Sequence, residues 1–227
     1  MLSINEWLGQ TSSREKLIVI GAGSLGKLTI DCVLKNKDYL VNDVALLDDN
    51  EEVQGKNILG IPVIGTIEQA KVLNVKGNII FVIAIANNKI RKKIVEENPV
   101  LNYRSIISKE AILSPFSKVG VGSIILPGVV VDPEADIKDH VIINKASTIA
   151  HDVLLKNFSQ VSPGVNFGGD VELGECSFIG LGASVLPNVK INENVVIGAG
   201  AVVTKDIDII NSIYVGNPAQ LLKETYS

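Results

Sequence analysis

The second half of the chain has an apolar residue at every sixth position from Leu113 to Val203, and no insertion breaks the frame. Val, Ala or Ser stands two positions before most of these residues. A six-residue period is typical of a parallel β-helix, in which each unit forms one short strand and one turn. Three units form one triangular coil, so the pattern predicts about five stacked coils. The periodic residues are Leu113, Val119, Ile125, Val131, Ile137, Ile143, Ile149, Leu155, Val161, Phe167, Leu173, Ile179, Val185, Ile191, Ile197 and Val203.

The polar positions between the apolar ones predict the corners of the coils. Glycine, asparagine and aspartate tolerate the positive φ angles that tight corners need. We expect the aliphatic residue of each unit to point into the helix and the corner residues to adopt positive φ. The residues assigned to these corners are Gly120, Gly122, Gly174, Gly180, Gly182, Asn188, Asn194, Gly198 and Gly200.

The first third of the chain alternates short apolar runs with helical periodicity. Lys16–Ile20 predicts a buried strand that leads into a glycine turn at 21–26 and then an amphipathic helix. A second strand at 44–47 ends in two aspartates, and a third strand at 78–86 precedes another helix. Such a turn offers helix N–H groups to a phosphate, and the acids can reach a ribose or a base. The turn alone does not distinguish NAD from a nucleoside diphosphate, and a purely structural turn is the alternative.

Together the two patterns predict two domains. Residues 1–108 form a small Rossmann-like α/β domain, which is too short for a full dinucleotide fold of two halves. Residues 109–227 form the β-helix and a C-terminal tail.

Composition narrows the function classes. Hydrophobic residues make up 46% of the chain and aromatic residues 4%, which favours a repetitive core of Val, Ile, Leu and Ala. The net charge is −4 and there is no broad basic patch, so neither nucleic acid nor a membrane surface is an expected partner. We interpret the basic cluster at 89–93 as a solvated helix face. The two cysteines, Cys32 and Cys176, fit no disulfide framework or metal spacing and indicate the cytoplasm.

The chain has only two histidines, His140 and His151. Three histidines would be needed for a zinc site of the β-helical carbonic anhydrase type, so that class is excluded and no metal is expected. His140 is interpreted as a surface residue. His151 is followed by Asp152, and a histidine titrates near neutral pH, as a general base must. Neighbours in a strand point to opposite faces, so Asp152 can orient His151 only at a coil corner.

Six segments carry a resemblance to a known family: GAGSLGK (21–27), LLDDN (46–50), GIPVIGT (60–66), AIANNKIRKKI (84–94), NKASTIAHD (144–152) and VGNPAQLL (215–222). In this combination, the chain resembles the sialic acid O-acetyltransferase family, which includes the bacillosamine and perosamine nucleotide-aminosugar N-acetyltransferases. The resemblance covers about residues 16–223. It implies a left-handed β-helix, acetyl-CoA as co-substrate, and a homotrimer with active sites between subunits.

The resemblance also implies roles for individual residues. His151 matches the general base and Asp152 the residue that orients it. The positions that match the acetyl-CoA site, with the Gly169 N–H as oxyanion donor, are Asn144, Gly169, Gly198, Gly216 and Pro218. The positions that match the nucleotide-sugar site are Gly21, Gly23, Ser24, Leu25, Gly26, Asp48, Asp49 and Gln160.

Two of these positions depart from the family pattern. Gln160 stands where the family usually has a second histidine, nine residues after the first, and Leu25 stands where its loop commonly has histidine. Both positions lie near the acceptor in the resemblance, so these departures bear on the identity of the acceptor and not on acyl transfer itself.

The sequence therefore predicts a cytoplasmic acetyl-CoA-dependent N-acetyltransferase that acts on the amine of a nucleotide-linked amino-sugar, of the UDP-4-amino-sugar type. The alternative acceptor is a sugar hydroxyl, as in sialic acid. A non-catalytic scaffold would need neither the glycine turn nor the VGNPA segment. An NAD-dependent oxidoreductase would need a longer dinucleotide domain.

Overall fold

The computed structural model describes residues 4–10, 15–75 and 78–225. The chain divides into two compact units, 1–106 and 107–227. In the described residues, no helix combines the length and the apolar character that crossing a membrane would require.

The first unit is built on a five-stranded sheet with the order β3-β4-β2-β1-β5, parallel except for the pair β3 and β4. Its strands are β1 (Lys16–Ile20), β2 (Val44–Leu47), β3 (Asn57–Ile58), β4 (Ile61–Gly65) and β5 (Ile79–Ile83). Its α-helices are α1 (Ile4–Gly9), α2 (Ser24–Asn36), α3 (Ala70–Asn74) and α4 (Asn88–Glu97), and three 3₁₀ turns lie at Val41–Asp43, Glu51–Val53 and Ile67–Gln69. The pattern did not predict β3 and β4, because two-residue β3 is below the length at which alternation is visible and Pro62 interrupts β4.

The three predicted strands are covered on both faces, since every residue of β1, β2 and β5 is buried. This burial includes Lys16, whose Nζ lies 4.6 Å from the centre of the Trp7 ring and donates a hydrogen bond to the Trp7 carbonyl at 3.2 Å. A lysine is retained in the strand because its ammonium keeps a hydrogen bond and a cation–π contact.

The second unit is the predicted parallel β-helix, with three sheets whose strands have two residues each except for the last two strands of the third sheet. Its first sheet contains Ile112–Leu113, Val130–Val131, Thr148–Ile149, Asn166–Phe167, Ser184–Val185 and Val202–Val203. Its second contains Lys118–Val119, Asp136–Ile137, Leu154–Leu155, Glu172–Leu173 and Lys190–Ile191. The third contains Ile106–Ile107, Ile124–Ile125, Ile142–Ile143, Gln160–Val161, Phe178–Ile179, Val196–Ile197, Ser212–Val215 and Gln220–Glu224. Strand partners such as Ile149 and Phe167 are 18 residues apart, which confirms three hexapeptides per coil.

The interior of the β-helix is a continuous aliphatic column. From Ile125 to Val203, every periodic residue is buried. Among the serines two positions before these residues, Ser123, Ser147 and Ser177 also hydrogen-bond to backbone groups. The Ser123 hydroxyl donates to the Lys138 carbonyl at 2.9 Å and accepts from the Val141 N–H at 3.0 Å. A small residue is therefore required for its size, and serine also supplies hydrogen bonds that the narrow corner needs.

The corners use glycine for two different reasons. Gly122, Gly182 and Gly200 have positive φ, as predicted, and so have the corner asparagines Asn188 and Asn194. The positive-φ prediction is wrong for the other four glycines, Gly120, Gly174, Gly180 and Gly198. A Cβ atom at each of these would instead collide with a neighbouring segment, so they permit close approach of the chain.

His140 is the second correction to the corners, because it is buried and not a surface residue. Its exposed fraction is 3%, and its ring stacks on Phe158 with centroids 5.3 Å apart. The ring also covers Gly122, where a Cβ would meet it. Gly122, His140 and Phe158 are successive corner residues at intervals of 18, and the stack fills the space that the glycine leaves open.

We expect Ile149→Asn to lower the free energy of unfolding by about 3 kcal/mol or more. The substitution removes a fully buried isoleucine, worth about 1.5–3 kcal/mol, and buries an amide that has no partner. The same substitution at Ile112, a strand residue with 68% exposure, is the matched control and should change stability by about 0.5 kcal/mol or less. Urea denaturation of both variants measures this difference; equal midpoints would contradict the assigned frame.

Candidate active site

His151 and Asp152 form a hydrogen-bonded pair at a corner of the β-helix. They occupy the turn between the strands Thr148–Ile149 and Leu154–Leu155, and Asp152 has a φ of 60°. His151 Nδ1 lies 2.8 Å from Asp152 Oδ2. Both side chains are more than half exposed, at 59% and 51%. In a regular strand, the adjacent side chains of His151 and Asp152 would point to opposite faces. The turn places them on the same side, so they can form a hydrogen bond.

The pair fixes the proton arrangement of the imidazole. A carboxylate can only accept a hydrogen bond, so the neutral ring carries its proton on Nδ1 when it is bound to Asp152. Nε2 then has a free lone pair. That nitrogen is the one that can accept a proton from a bound substrate.

Gly169 lies directly against the imidazole of His151. A Cβ atom at this position would be 2.6 Å from Nε2 and closer still to Cε1, so any larger residue would displace the ring. Among the described residues, the Gly169 N–H makes no hydrogen bond, whereas the Gly169 carbonyl accepts one from the Asn188 N–H. A free N–H beside a proton acceptor can donate to a negatively charged oxygen.

A second carboxylate, that of Asp170, belongs to the same cluster. One nitrogen of His151 and one oxygen each of Asp152 and Asp170 lie within 4.8 Å of one another. The Asp170 N–H donates to the His151 carbonyl at 3.1 Å. The sequence reading missed Asp170, although the 18-residue coil spacing places it one coil after Asp152.

The nearby carboxylates increase the basicity of His151. The hydrogen bond to Asp152 raises the pKa of the imidazole above its usual value, and the charges of Asp152, Asp170 and Asp132 act in the same direction. Partial desolvation opposes them. A more basic imidazole is a stronger proton acceptor, but it stays protonated up to a higher pH.

Asn144 and Gln160 are not in this cluster. Asn144 is half-buried, and its Oδ1 accepts a hydrogen bond from the Lys145 N–H at 2.9 Å. Gln160 is 7% exposed in the strand Gln160–Val161, and its Oε1 has no hydrogen-bond partner in the described parts of the chain. No hydrogen bond joins either side chain to His151 within those parts.

The predicted acetyl-CoA residues near the C-terminus lie together on the last coil. Gly198 packs against the strand Ser212–Val215, since a Cβ there would be 2.7 Å from Val215 Cγ1. Gly216 has a φ of 96°, and its carbonyl accepts from the Val202 N–H at 3.0 Å. Pro218 follows a cis peptide bond in the same turn. The segment 215–220 is therefore held on the body of the β-helix by backbone hydrogen bonds.

The glycine turn of the first unit leads into the uncapped start of α2. Gly23 and Ser24 are exposed, and Gly23, the N-cap residue, has no side chain to cap the helix, so its first N–H groups can bind an anion. Gly26 is required by close packing, because a Cβ there would overlap the Gly21 carbonyl. Leu25 is buried, so its side chain belongs to the packing of the domain.

Asp48 and Asp49 both hold backbone groups near this turn. Asp48 Oδ2 accepts from the Ala22 N–H at 2.6 Å and Oδ1 accepts from the Asn50 N–H at 2.9 Å. Asp49 Oδ1 accepts from the Ile67 N–H at 2.9 Å. The carboxylates thus fix the glycine turn and the start of a 3₁₀ turn, which the sequence alone did not indicate.

Both units of the chain match known domain families. Residues 16–98 match the PglD N-terminal domain, and residues 170–205 match the bacterial transferase hexapeptide repeats. GDP-perosamine N-acetyltransferase from Escherichia coli is 30% identical over 165 residues, which is 71% of this chain and 74% of that protein.

Two solved structures share the whole architecture. The acetyltransferase domain of PglB from Neisseria gonorrhoeae, in complex with acetyl coenzyme A, is 36% identical with a TM-score of 0.85 and covers 92% of this chain and 100% of its own. PerB from Caulobacter crescentus, in complex with CoA and GDP-perosamine, is 27% identical with a TM-score of 0.85 and covers 94% of this chain and 100% of its own. The chain therefore belongs to the hexapeptide-repeat acyltransferase family that includes GDP-perosamine N-acetyltransferase, with an N-terminal α/β domain followed by a left-handed parallel β-helix.

Proposed function

We propose that this acyltransferase moves the acetyl group of acetyl-CoA to the amine of a nucleotide-linked amino-sugar. The observation that carries the proposal is the His151–Asp152 pair against Gly169, which combines an oriented proton acceptor with a free N–H donor. It is supported by the relatives, of which PglB binds acetyl coenzyme A and PerB binds CoA and GDP-perosamine.

The proposed reaction is a direct transfer in a ternary complex. The amine nitrogen attacks the thioester carbonyl while Nε2 of His151 takes the proton that the nitrogen loses. The carbonyl oxygen becomes negative and accepts a hydrogen bond from the Gly169 N–H. The tetrahedral intermediate then collapses, the C–S bond breaks, and the imidazolium returns its proton to the departing CoA sulfur. The products are an amide and CoA-SH, and His151 is again neutral. A positioned base of this kind contributes about 10²–10⁴-fold to the rate.

The remaining predicted residues take binding roles in this proposal. The start of α2, with Gly21, Gly23, Ser24 and Gly26, holds the diphosphate of the nucleotide-sugar. Asp48 and Asp49 act by fixing this turn through the backbone bonds that they accept. Asn144, Gly198, Gly216 and Pro218 line the path of acetyl-CoA. The enzyme works as a cytoplasmic homotrimer, so part of each site comes from a second subunit.

Leu25 and Gln160 replace histidines that are usual in the family, and in the proposal they bear on which acceptor is used. The sequence favours a UDP-linked 4-amino-sugar, whereas two relatives act on or bind a GDP-linked one by name. The second candidate function is transfer to a sugar hydroxyl. It uses the same base and the same N–H donor, and it differs only in the nucleophile.

The test is acceptor-dependent release of CoA thiol from acetyl-CoA. The panel contains UDP-, GDP- and dTDP-linked 4-amino-sugars, with free sialic acid as the hydroxyl acceptor. We expect release with one of the amino-sugars, equal rates with and without EDTA, and a loss of about 10²-fold or more in His151→Ala. Release with sialic acid alone would establish the second candidate. A His151→Ala variant with wild-type turnover would remove His151 as the base.

The pH dependence of kcat/KM should depend on the hydrogen bond between Asp152 and His151. Because Asp152 raises the pKa of His151, Asp152→Asn should lower that pKa and move the acid limb of kcat/KM to lower pH. The base is active when neutral, so this shift extends activity toward acid pH while the plateau falls through poorer orientation of the ring. Asp170→Asn removes a charge but no hydrogen bond to the ring, so its shift should be smaller and in the same direction. An unchanged acid limb in both variants would contradict the assignment.

Gly169→Ala tests the contact between the glycine and the imidazole. The φ of Gly169 is not positive, so alanine suits the backbone, but the new methyl must displace the His151 ring. We expect turnover to fall about 10-fold or more, because small displacements of catalytic groups are costly. The double variant His151→Ala/Gly169→Ala is the control: without the ring the methyl loses its three closest contacts, so the added methyl should cost no further melting temperature relative to His151→Ala. Wild-type turnover in Gly169→Ala would show that the ring has room to spare.

A further inference from the structure

The strand order of the first unit reverses direction between β1 and β5. From β1 the chain proceeds to β2 and β4 on one side of the sheet, and then crosses to β5 on the other side of β1. In open parallel sheets, ligands bind at the carboxyl ends of the strands where the order reverses in this way. The two segments at that edge are the glycine turn after β1 and the loop 84–87 after β5.

The two segments are in direct contact. A Cβ on Gly21 would lie 2.8 Å from the Ala84 carbonyl oxygen and 2.9 Å from Ile85 Cγ1. The Ala84 N–H donates to the Ile20 carbonyl at 2.7 Å, which ties the start of the loop to the end of β1. A movement of loop 84–87 would therefore change the surface against which the glycine turn packs. Ala86 and Asn87 are exposed beyond this contact.

Arg91 is hydrogen-bonded to this loop through its guanidinium group. The interpretation of residues 89–93 as a solvated helix face is wrong for Arg91, which is fully buried in α4. Its Nη1 donates to the Ile85 carbonyl at 2.9 Å, and its Nη2 donates to Asn88 Oδ1 at 2.9 Å. The guanidinium thus bridges the loop and the first residue of α4.

A buried guanidinium is costly unless its donors are used, so its presence calls for a role. Asn87 already caps α4 by accepting from the Ile90 N–H at 3.0 Å, so the helix start does not depend on Arg91 alone. The guanidinium fixes the position of the Ile85 carbonyl through its hydrogen bond. Its planar fork makes the bonds to Ile85 and Asn88 in a set geometry, which a lysine ammonium cannot reproduce.

We infer that Arg91 is a positioning residue for the nucleotide: it holds Ile85 against Gly21 and thereby keeps the phosphate-binding turn in its binding conformation. This inference rests on the proposed function for the identity of the ligand. It assigns to Arg91 an effect on nucleotide binding and none on acetyl-CoA or on the chemical step.

The experiment measures binding of UDP, GDP and dTDP by titration calorimetry, together with KM for acetyl-CoA and kcat. The variants of the full chain are Arg91→Lys and Asn88→Ala, and circular dichroism checks their fold. The control is Lys92→Gln, which removes the next cation of α4, whose Nζ lies 3.8 Å from Glu96 Oε1. For the nucleoside diphosphate that wild type binds best, we expect Kd to rise about 10-fold in Arg91→Lys and about 3-fold in Asn88→Ala. The acetyl-CoA KM, the kcat and the Lys92→Gln control should stay within about twofold.

The other possible results also decide whether Arg91 positions the phosphate-binding turn. If Arg91→Lys does not fold, Asn88→Ala carries the test, because it removes one partner and leaves the buried cation in place. An unchanged diphosphate Kd in a folded variant, or an equal loss for acetyl-CoA and diphosphate, would refute the role of Arg91 and leave the proposed function standing. Failure of wild type to bind any of the three diphosphates would overturn the nucleotide assignment itself, and the role of Arg91 with it.

Discussion

Hydrogen bonding between strands 18 residues apart is the constraint on which the β-helical unit depends. Ile142 pairs with Ile124 on one side and with Gln160 on the other, and the same register recurs in each sheet. This register turns the sequence into columns, in which each residue stands on the residues one coil away. The column of His151 contains Gly169, and that of Asp152 contains Asp170. The site therefore combines one contact local in sequence, between His151 and Asp152, with contacts to Gly169 and Asp170 that the register between coils creates.

Periodicity made the β-helix predictable because the same weak local signal repeats sixteen times without a break. The pairing of His151 with Asp152 was predictable on the condition that both lie at a corner, and the frame places them there. The burial of His140 was not. Corner residues look alike in sequence, and their exposure depends on what stands one coil away, here Gly122 and Phe158. That dependence is invisible to a reading that treats each hexapeptide alone.

In the α/β unit, several charged side chains support main chain in a way that their residue type does not indicate. Two aspartates after a strand were expected to face a ligand, yet each accepts hydrogen bonds from backbone N–H groups. A basic cluster was expected to be solvated, yet its central arginine is buried. In both cases the charged group stabilises a loop that lacks regular hydrogen bonding. Sequence alone does not reveal such a use, because the acceptor or donor belongs to main chain that is distant along the sequence.

The unbroken frame between Leu113 and Val203 also limits how the length of this protein can change. A single inserted residue between His151 and Gly169 would turn the aliphatic column outward and place a different residue under the imidazole. Even a whole extra hexapeptide would rotate the following chain by one side of the triangle and separate the two residues onto different corners. Among insertions that follow the path of the coil and do not loop out at a corner, only multiples of 18 residues preserve the columns, and inside this interval even a full coil would move Gly169 out of reach of the ring. Evolution or engineering can therefore lengthen the helix in steps of one coil, but only outside the single coil that joins base and glycine.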